Sequence, residues 1–460
     1  MRAAVAAGHP ATAAAGADVL ADGGSAADAV VAGSLAACVA ETVMTGLLGG
    51  GHGVYFDAGT AGAHNLDCFV AVPGLGAERR EPALVELDVP FGEDLVHYAV
   101  GIASCAVPGL PAGLEELWRR YGRLPWPRLV EPALELARRG VVMPRAHASC
   151  LEMLAPVLTM NEGARIYAPG GRLLREGEQL EQPGLVRALE ALAAEGVRAV
   201  YSGSLAEALL VLMEERGGLV TRADLEAYRA EWAEPVVVPY CRTRLQTRGG
   251  LSDVPSTLRR LPRLRRLDEA QRAVAWARAL GGERGEAGTT NISAVDGEGN
   301  ACVLTTSLGL GSGDFLPGLD LHLNSMLGEA ELVRGPLEPG ARMESMMAPT
   351  AAVDGDGLVL AAGAAGGSRL GAALLQVVAG VLDEGLSAQH AVERPRLHRI
   401  GSTVHLEPGF AEEAVAALER AGYDVRVWPA QHHYFGGVSL VARGGAGADP
   451  RRSGAAVVVG

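Results

Sequence analysis

Apolar positions along this chain fall into two kinds of run, and the two kinds are unevenly distributed. Toward the N-terminus, 11–21 and 26–40 have helical composition. The first ends at Asp22-Gly23-Gly24 and Ser25 caps the second, an order of stop and start that two consecutive helices require. Small residues throughout 26–40 allow that helix to pack very closely. The glycine-rich turn GLLGGGHG then feeds an apolar strand at 54–56. Helical stretches follow at 113–121, 127–139 and over much of 183–233, where LAEALLVLMEERGG stops at Gly217-Gly218 and TRADLEAYR supplies the next cap. From Thr289 onward alternation with a period of two dominates. Short β-type runs at 292–295, 301–306, 351–353 and 358–362 are separated by DGEGN and DGDG turns. Helices near 371–384 and 411–421 precede final strands near 437–442 and 455–459. Helices flanking β-rich runs predict an α+β fold in layers, with both sheets covered.

Composition narrows the classes. With 460 residues the chain can form one large domain or two to three ordinary ones. It is 48% hydrophobic but only 4% aromatic, so its core is built mostly from Ala, Val and Leu. The 62 glycines imply many tight turns and close backbone approaches. A net charge of −14 argues against nucleic acid as a partner, since phosphate recognition needs a basic surface. All 40 basic residues are arginine, a pattern that codon bias explains. The six cysteines are scattered without a CxxC, and no His pair has ligand spacing. Reduced, buried thiols are therefore expected, with no metal and no cofactor. No run of about 18 apolar residues predicts a membrane span. The start, MRAAVAAGHPATAAAG, is interrupted by His9 and Pro10 and reads as no signal peptide, so a cytoplasmic location is expected. The Arg-dense stretch 241–284, broken by Pro255 and Pro262, reads as a partly helical connector with an amphipathic helix near 268–280. A basic patch for an anionic partner is the alternative.

One short segment carries chemistry. In GEAGTTNISAVDGEGNACVLTTSLG, two threonines follow Gly288. A threonine hydroxyl needs a base to attack a carbonyl, and a threonine at a chain start supplies one in its own α-amino group. That amine has a pKa near 7.7–8.0, so it is partly unprotonated at neutral pH. No histidine is then required, and the 11 histidines form no recognisable triad. Taken alone, Gly-Thr-Thr is also a turn leading into an edge strand.

The surrounding segments resemble the γ-glutamyltransferases of the N-terminal nucleophile (Ntn) hydrolase superfamily. ADVLADGGSAADAVVAGSLA is similar to the family's opening helical segment and GLLGGGHG to its glycine-rich turn. VPGLPAGLEELWRRYGRLPW, RAVYSGSLAEAL and GGLVTRADLEAY resemble consecutive later motifs, and SMMAPT and GAAGGSR resemble two active-site loops. The resemblance implies a four-layer αββα sandwich made as a precursor that cuts itself at Gly288–Thr289. The products would be a large chain, 1–288, and a small chain, 289–460, forming one intertwined domain, a heterodimer open to further dimerisation. It implies Thr289 as nucleophile, with Thr290 a strand neighbour, and Ser307 at the position of a threonine that hydrogen-bonds the nucleophile. Thr305 shares the face of Ser307. Gly366 and Gly367 match the oxyanion-hole glycines. Asn291, a candidate substrate-binding residue, stands where the family usually has His.

The same comparison shows what is missing. The family holds its substrate's α-carboxylate with an arginine after an Asp-Phe pair. In LDCFVAVPG that position is Phe69. The α-ammonium is held from a segment reading NNQMDDF. Here LNSMLGEAE puts Leu327 and Gly328 at the aspartates, with Glu329 adjacent but not aligned. Of two serines that contact the carboxylate, Ser345 matches and Met346 replaces the other, and an asparagine is replaced by Gly309. Arg342, Arg369 and His52 are the candidates for rebuilding an anion site. The expectation is a self-processing hydrolase or acyltransferase acting on a small molecule through an altered pocket, with an amide or a carbon–carbon bond next to a carbonyl as its target. Relatives with altered pockets place such an enzyme in specialised, antibiotic-type metabolism. True γ-glutamyl transfer through a rebuilt pocket and an unprocessed binding protein are the alternatives.

Overall fold

The computed structural model describes residues 1–78, 83–91, 94–281, 288–333 and 335–460. Two antiparallel sheets lie face to face. The first has seven strands in the order Ala455–Val458, Ala4–Ala7, Gly288–Val295, Ala301–Gly309, Gly50–Asp57, Gly62–Cys68 and Glu231–Ala233. The second has six, in the order Gly445–Ala448, Gly437–Ala442, Gly357–Ala365, Thr350–Asp354, Thr243–Thr247 and Val236–Tyr240.

Alternation on each strand sorts its residues between two cores. On Gly288–Val295, Ile292 and Ala294 join a cluster with the helices outside the first sheet, whereas Val295 faces the second sheet. On Ala301–Gly309 the same division sends Cys302 and Leu304 outward and Ala301 and Val303 inward. The space between the sheets is filled largely by Ala and Val, including Ala4, Ala6, Ala351, Ala361 and Val441. Helices Pro10–Ala21, Ala26–Ala40, Leu110–Tyr121 and Trp126–Arg139 cover the first sheet, and Glu269–Ala279, Leu370–Leu382 and Glu412–Arg420 cover the second. The fold is thus α+β, a four-layer αββα sandwich.

The sequence pattern and the structure agree where a cap or a one-sided alternation marks an element. Ser25 caps Ala26–Ala40 through a capping box with Asp28. All 15 residues of that helix are buried, which explains its lack of a polar face. The first strand, Ala4–Ala7, carries no such mark and was not expected. It is buried on both faces, so AVAA shows no alternation. The stretch 241–284, expected as a connector, is through residue 281 part of the second sheet and of the helices that cover it. It supplies the strand Thr243–Thr247 and the helices Val254–Arg260 and Glu269–Ala279, whose Val254, Leu258 and Trp276 enter the core.

Near the C-terminus a buried ion network ties loops to the second sheet. Arg451 donates to Glu407 through Nε at 2.6 Å and through Nη2, and to Asp449 at 3.0 Å. Arg396 donates to the other Asp449 oxygen at 2.5 Å, which also accepts from Val438 N at 3.0 Å. Burial opposes ionisation of Asp449, but Arg396 and Arg451 outweigh it and hold its carboxyl below the usual carboxylate range. A carboxylate depressed in this way contributes stability above its unfolded pKa, and that contribution is lost as pH falls through the folded value. Glu407→Ala, which leaves Asp449 as the one carboxylate of this network for two buried guanidinium groups, is expected to cost about 3–5 kcal/mol in urea unfolding at pH 7.

Candidate active site

The two central strands of the first sheet bring Thr289 and Ser307 together. Gly288 pairs with Gly309 and Thr290 with Thr306, so one residue, Thr289, faces two, Ser307 and Leu308, across an irregularity in the register. The Ser307 hydroxyl donates to the Gly288 carbonyl oxygen and accepts from Gly309 N at 2.8 Å. In the intact chain it therefore holds the carbonyl of the Gly288–Thr289 bond. The segment leading into the neighbouring strand Gly50–Asp57 also approaches Ser307 closely. A Cβ at Gly49 would stand 2.2 Å from the Ser307 carbonyl oxygen, so only glycine fits there.

Thr289 is 2% exposed and lines two small cavities, a front one and a rear one. The front cavity, of about 20 Å³, contains Ser307, Gly367, Phe69, Ser345, Met346 and Glu329, with Met326, Leu332, Met347 and Leu370. That volume is close to the room one water needs. Gly366 and Gly367 take φ of +128° and +57°, and they lead through a short turn into the 13-residue helix Leu370–Leu382. Their positive φ turns the backbone at the cavity wall beside that helix's N-terminal end, where backbone N–H groups favour negative charge.

The rear cavity joins Thr289, Thr290 and Asn291 to Glu41, His147 and Arg452. Glu41, 1% exposed, accepts from Thr290 Oγ1 at 2.5 Å and Thr12 Oγ1 at 2.6 Å. Burial raises its carboxyl pKa despite these bonds and Arg452. Burial also lowers His147 to about 3, so its ring is neutral. Asn291 belongs to this side rather than to the front cavity. Its amide donates to Ser293 Oγ at 3.1 Å and to Ser439 O at 3.4 Å on the second sheet, and accepts from Thr305 Oγ1 at 2.8 Å.

The family profile described as gamma-glutamyltranspeptidase matches residues 12–279 and 263–459. The chain belongs to the gamma-glutamyltranspeptidase family. It is 30% identical to the Acylase ACY 1 proenzyme of Pseudomonas sp. (strain V22), over 94% of this chain and 88% of the relative. It is 25% identical to the Glutathione hydrolase proenzyme of Bacillus subtilis (strain 168), over 98% and 91%. In fold it is similar to the cephalosporin acylase from Bacillus halodurans, with a TM-score of 0.85 at 23% identity over 99% of this chain and 95% of that one. It is accordingly an enzyme, an Ntn hydrolase or acyltransferase.

The gamma-glutamyltranspeptidase pattern can now be followed into space. Phe69, at the arginine position, lies in the front cavity with its ring stacked on His52, centroids 5.3 Å apart. Arg342 sits behind it and is fully engaged. It donates to Phe69 O at 2.6 Å, to Tyr228 Oη and to Arg229 O, and lies over the Tyr228 ring. Arg369 lies over the Tyr434 ring, 4.5 Å from its centroid. None of Arg342, Arg369 and His52 lines the front cavity. Leu327 does not line it either. It borders a separate, larger cavity of about 510 Å³ with Val72, Met213 and Pro339. Glu329 and Glu41 were missed as site residues, Glu329 because it is one position out of register and Glu41 because nothing near it in sequence marks it. Gly366→Ala is expected to cost about 1–3 kcal/mol, because its φ excludes a side chain and its Cβ would stand 2.8 Å from Gly436 Cα. Chemical denaturation measures it.

Proposed function

We propose that this protein is a self-processing N-terminal-threonine hydrolase or acyltransferase that has lost γ-glutamyl specificity and acts on an amide, or on a carbon–carbon bond next to a carbonyl, of a small intracellular substrate. The observation that supports it best is the Ser307 hydroxyl donating to the Gly288 carbonyl oxygen. A donor there stabilises the oxyanion that forms when Thr289 attacks.

In the processing step the Thr289 hydroxyl oxygen adds to the Gly288 carbonyl carbon and the carbon–nitrogen bond breaks. The nitrogen takes the hydroxyl proton and becomes the Thr289 amine, leaving an ester at Thr289 Oγ1. Water adds to that ester, giving the Gly288 carboxylate and restoring the hydroxyl. Ser307 is then released from the carbonyl and can support the nucleophile. The new α-amine serves as base for substrate attack, and the backbone at Gly366 and Gly367 stabilises the oxyanion. Loss of γ-glutamyl specificity rests on the front cavity, which has Phe69 where the family's arginine stands and contains no basic side chain among the described residues.

Intact mass of the purified protein tests this. The wild type is expected as two fragments, 1–288 and 289–460, and Thr289→Ala as one chain. Ser307→Ala should process about a hundredfold more slowly, the size of effect seen when one oxyanion donor is removed. Turnover should rise with pH through about 7.7–8.0 as the amine deprotonates. A wild type that stays whole sinks the proposal and leaves an unprocessed binding protein.

A further inference from the structure

Among the described residues the front cavity contains one ionisable side chain, Glu329, and neighbouring backbone fixes its placement. The residue is 5% exposed, and its Oε1 has no hydrogen-bond partner. The carboxyl fills space opened at Gly309, where a Cβ would stand 2.2 Å from Oε1 and 2.6 Å from Ser325 Oγ. Gly309 takes φ +71°, which further restricts the position to glycine. The preceding residue cannot serve in its place. A Cβ at Gly328 would stand 1.6 Å from the Ala99 carbonyl oxygen, so no aspartate fits there. Leu327 faces the other cavity. The turn Met326–Gly328 therefore presents Glu329 to Thr289 and excludes the positions that the family pattern uses.

The remaining walls are apolar. Phe69, Met326, Met346, Met347, Leu332 and Leu370 line the cavity with the carboxyl, and Ser345, Ser307 and Thr289 itself are the polar exceptions. Methionine side chains are flexible, so this wall can yield to a chain larger than the resting volume. A carboxyl in such a site rewards a substrate N–H group and rejects an anion, because an unpaired buried charge is costly.

Resting on the function proposed above, we infer that Glu329 determines specificity here: the pocket takes an acyl group that is apolar, bears one amine and carries no carboxylate. Burial, with Glu331 adding to it, pushes the Glu329 carboxyl well above the usual carboxylate range. Burial thus favours the neutral acid there, and an arriving ammonium favours release of its proton to solvent and a charge-assisted bond.

Two measurements on the full-length protein test this. Calorimetry with n-butylammonium and butyrate needs no turnover. Butylammonium should bind at least tenfold more tightly than butyrate, and Glu329→Gln and Glu329→Leu should each weaken it at least tenfold. Equal binding of the two probes, no binding of butylammonium to the wild type, or unchanged affinity in folded variants would overturn the inference. Should neither variant fold, as judged by thermal melting, the wild-type ranking decides. Turnover of 4-aminobutyryl, pentanoyl and glutaryl 4-nitroanilides should follow the same order, with Glu329→Leu favouring pentanoyl. A chain that never splits and hydrolyses none of them refutes the hydrolase reading, a result separate from the binding ranking. A split, active chain that prefers the glutaryl anilide refutes only the role of Glu329.

Discussion

Beside the nucleophile, the two sheets are joined by a polar clasp. Asn291 and Ser293, on the inner face of the strand that begins at Gly288, both donate to the Ser439 carbonyl oxygen of the opposite sheet. Thr305 donates to the Asn291 carbonyl oxygen from the adjacent strand, so neither end of that amide is left unpaired in the interior. The clasp fixes how closely the sheets approach, and the Ala-rich filling between them matches that spacing. With the sheets held, Thr289 lies where the second sheet's Gly366–Gly367 turn and the first sheet's Ser307 meet. A larger residue in the filling would separate the two halves of the site before it disturbed either sheet.

How much of this was legible in the sequence depended on whether a residue's task leaves a local mark. Capped helices such as Ala26–Ala40 were readable, because Ser25 and Asp28 lie three apart and the glycines before them end the previous helix. Thr289, Ser307 and the two glycines were readable because the motifs around them resemble known ones. The strand Ala4–Ala7 was not, since burial on both faces removes alternation. The clasp was not readable either. Asn291 looked like a substitution at a substrate-facing position, and only the sheet-to-sheet geometry shows that it reaches partners 148 and 14 residues further along the chain.

The pocket shows how specificity can change while the reacting atoms stay in place. Phe69 stacks on His52, and a guanidinium close to it, Arg342, is bound to backbone carbonyls and Tyr228. An arginine held by several acceptors has few donors left to offer a ligand, so its proximity is no sign of an anion site. The distinction matters wherever a charged residue stands near a pocket that it does not line.

The strand order of the first sheet has a consequence for assembly. Segments from before and after Gly288 alternate across its left half: Ala455–Val458, then Ala4–Ala7, then Gly288–Val295. In an unbroken chain the peptide link keeps these strands at high effective concentration, and closing even a long loop adds little entropy cost. A cut between Gly288 and Thr289 would remove that link but none of the ladder hydrogen bonds. The two pieces would then persist through the slowness of separating interleaved strands, with no covalent route back once separated. Covalent continuity would act in such a molecule as a scaffold for folding, spent in the same event that exposes the amine.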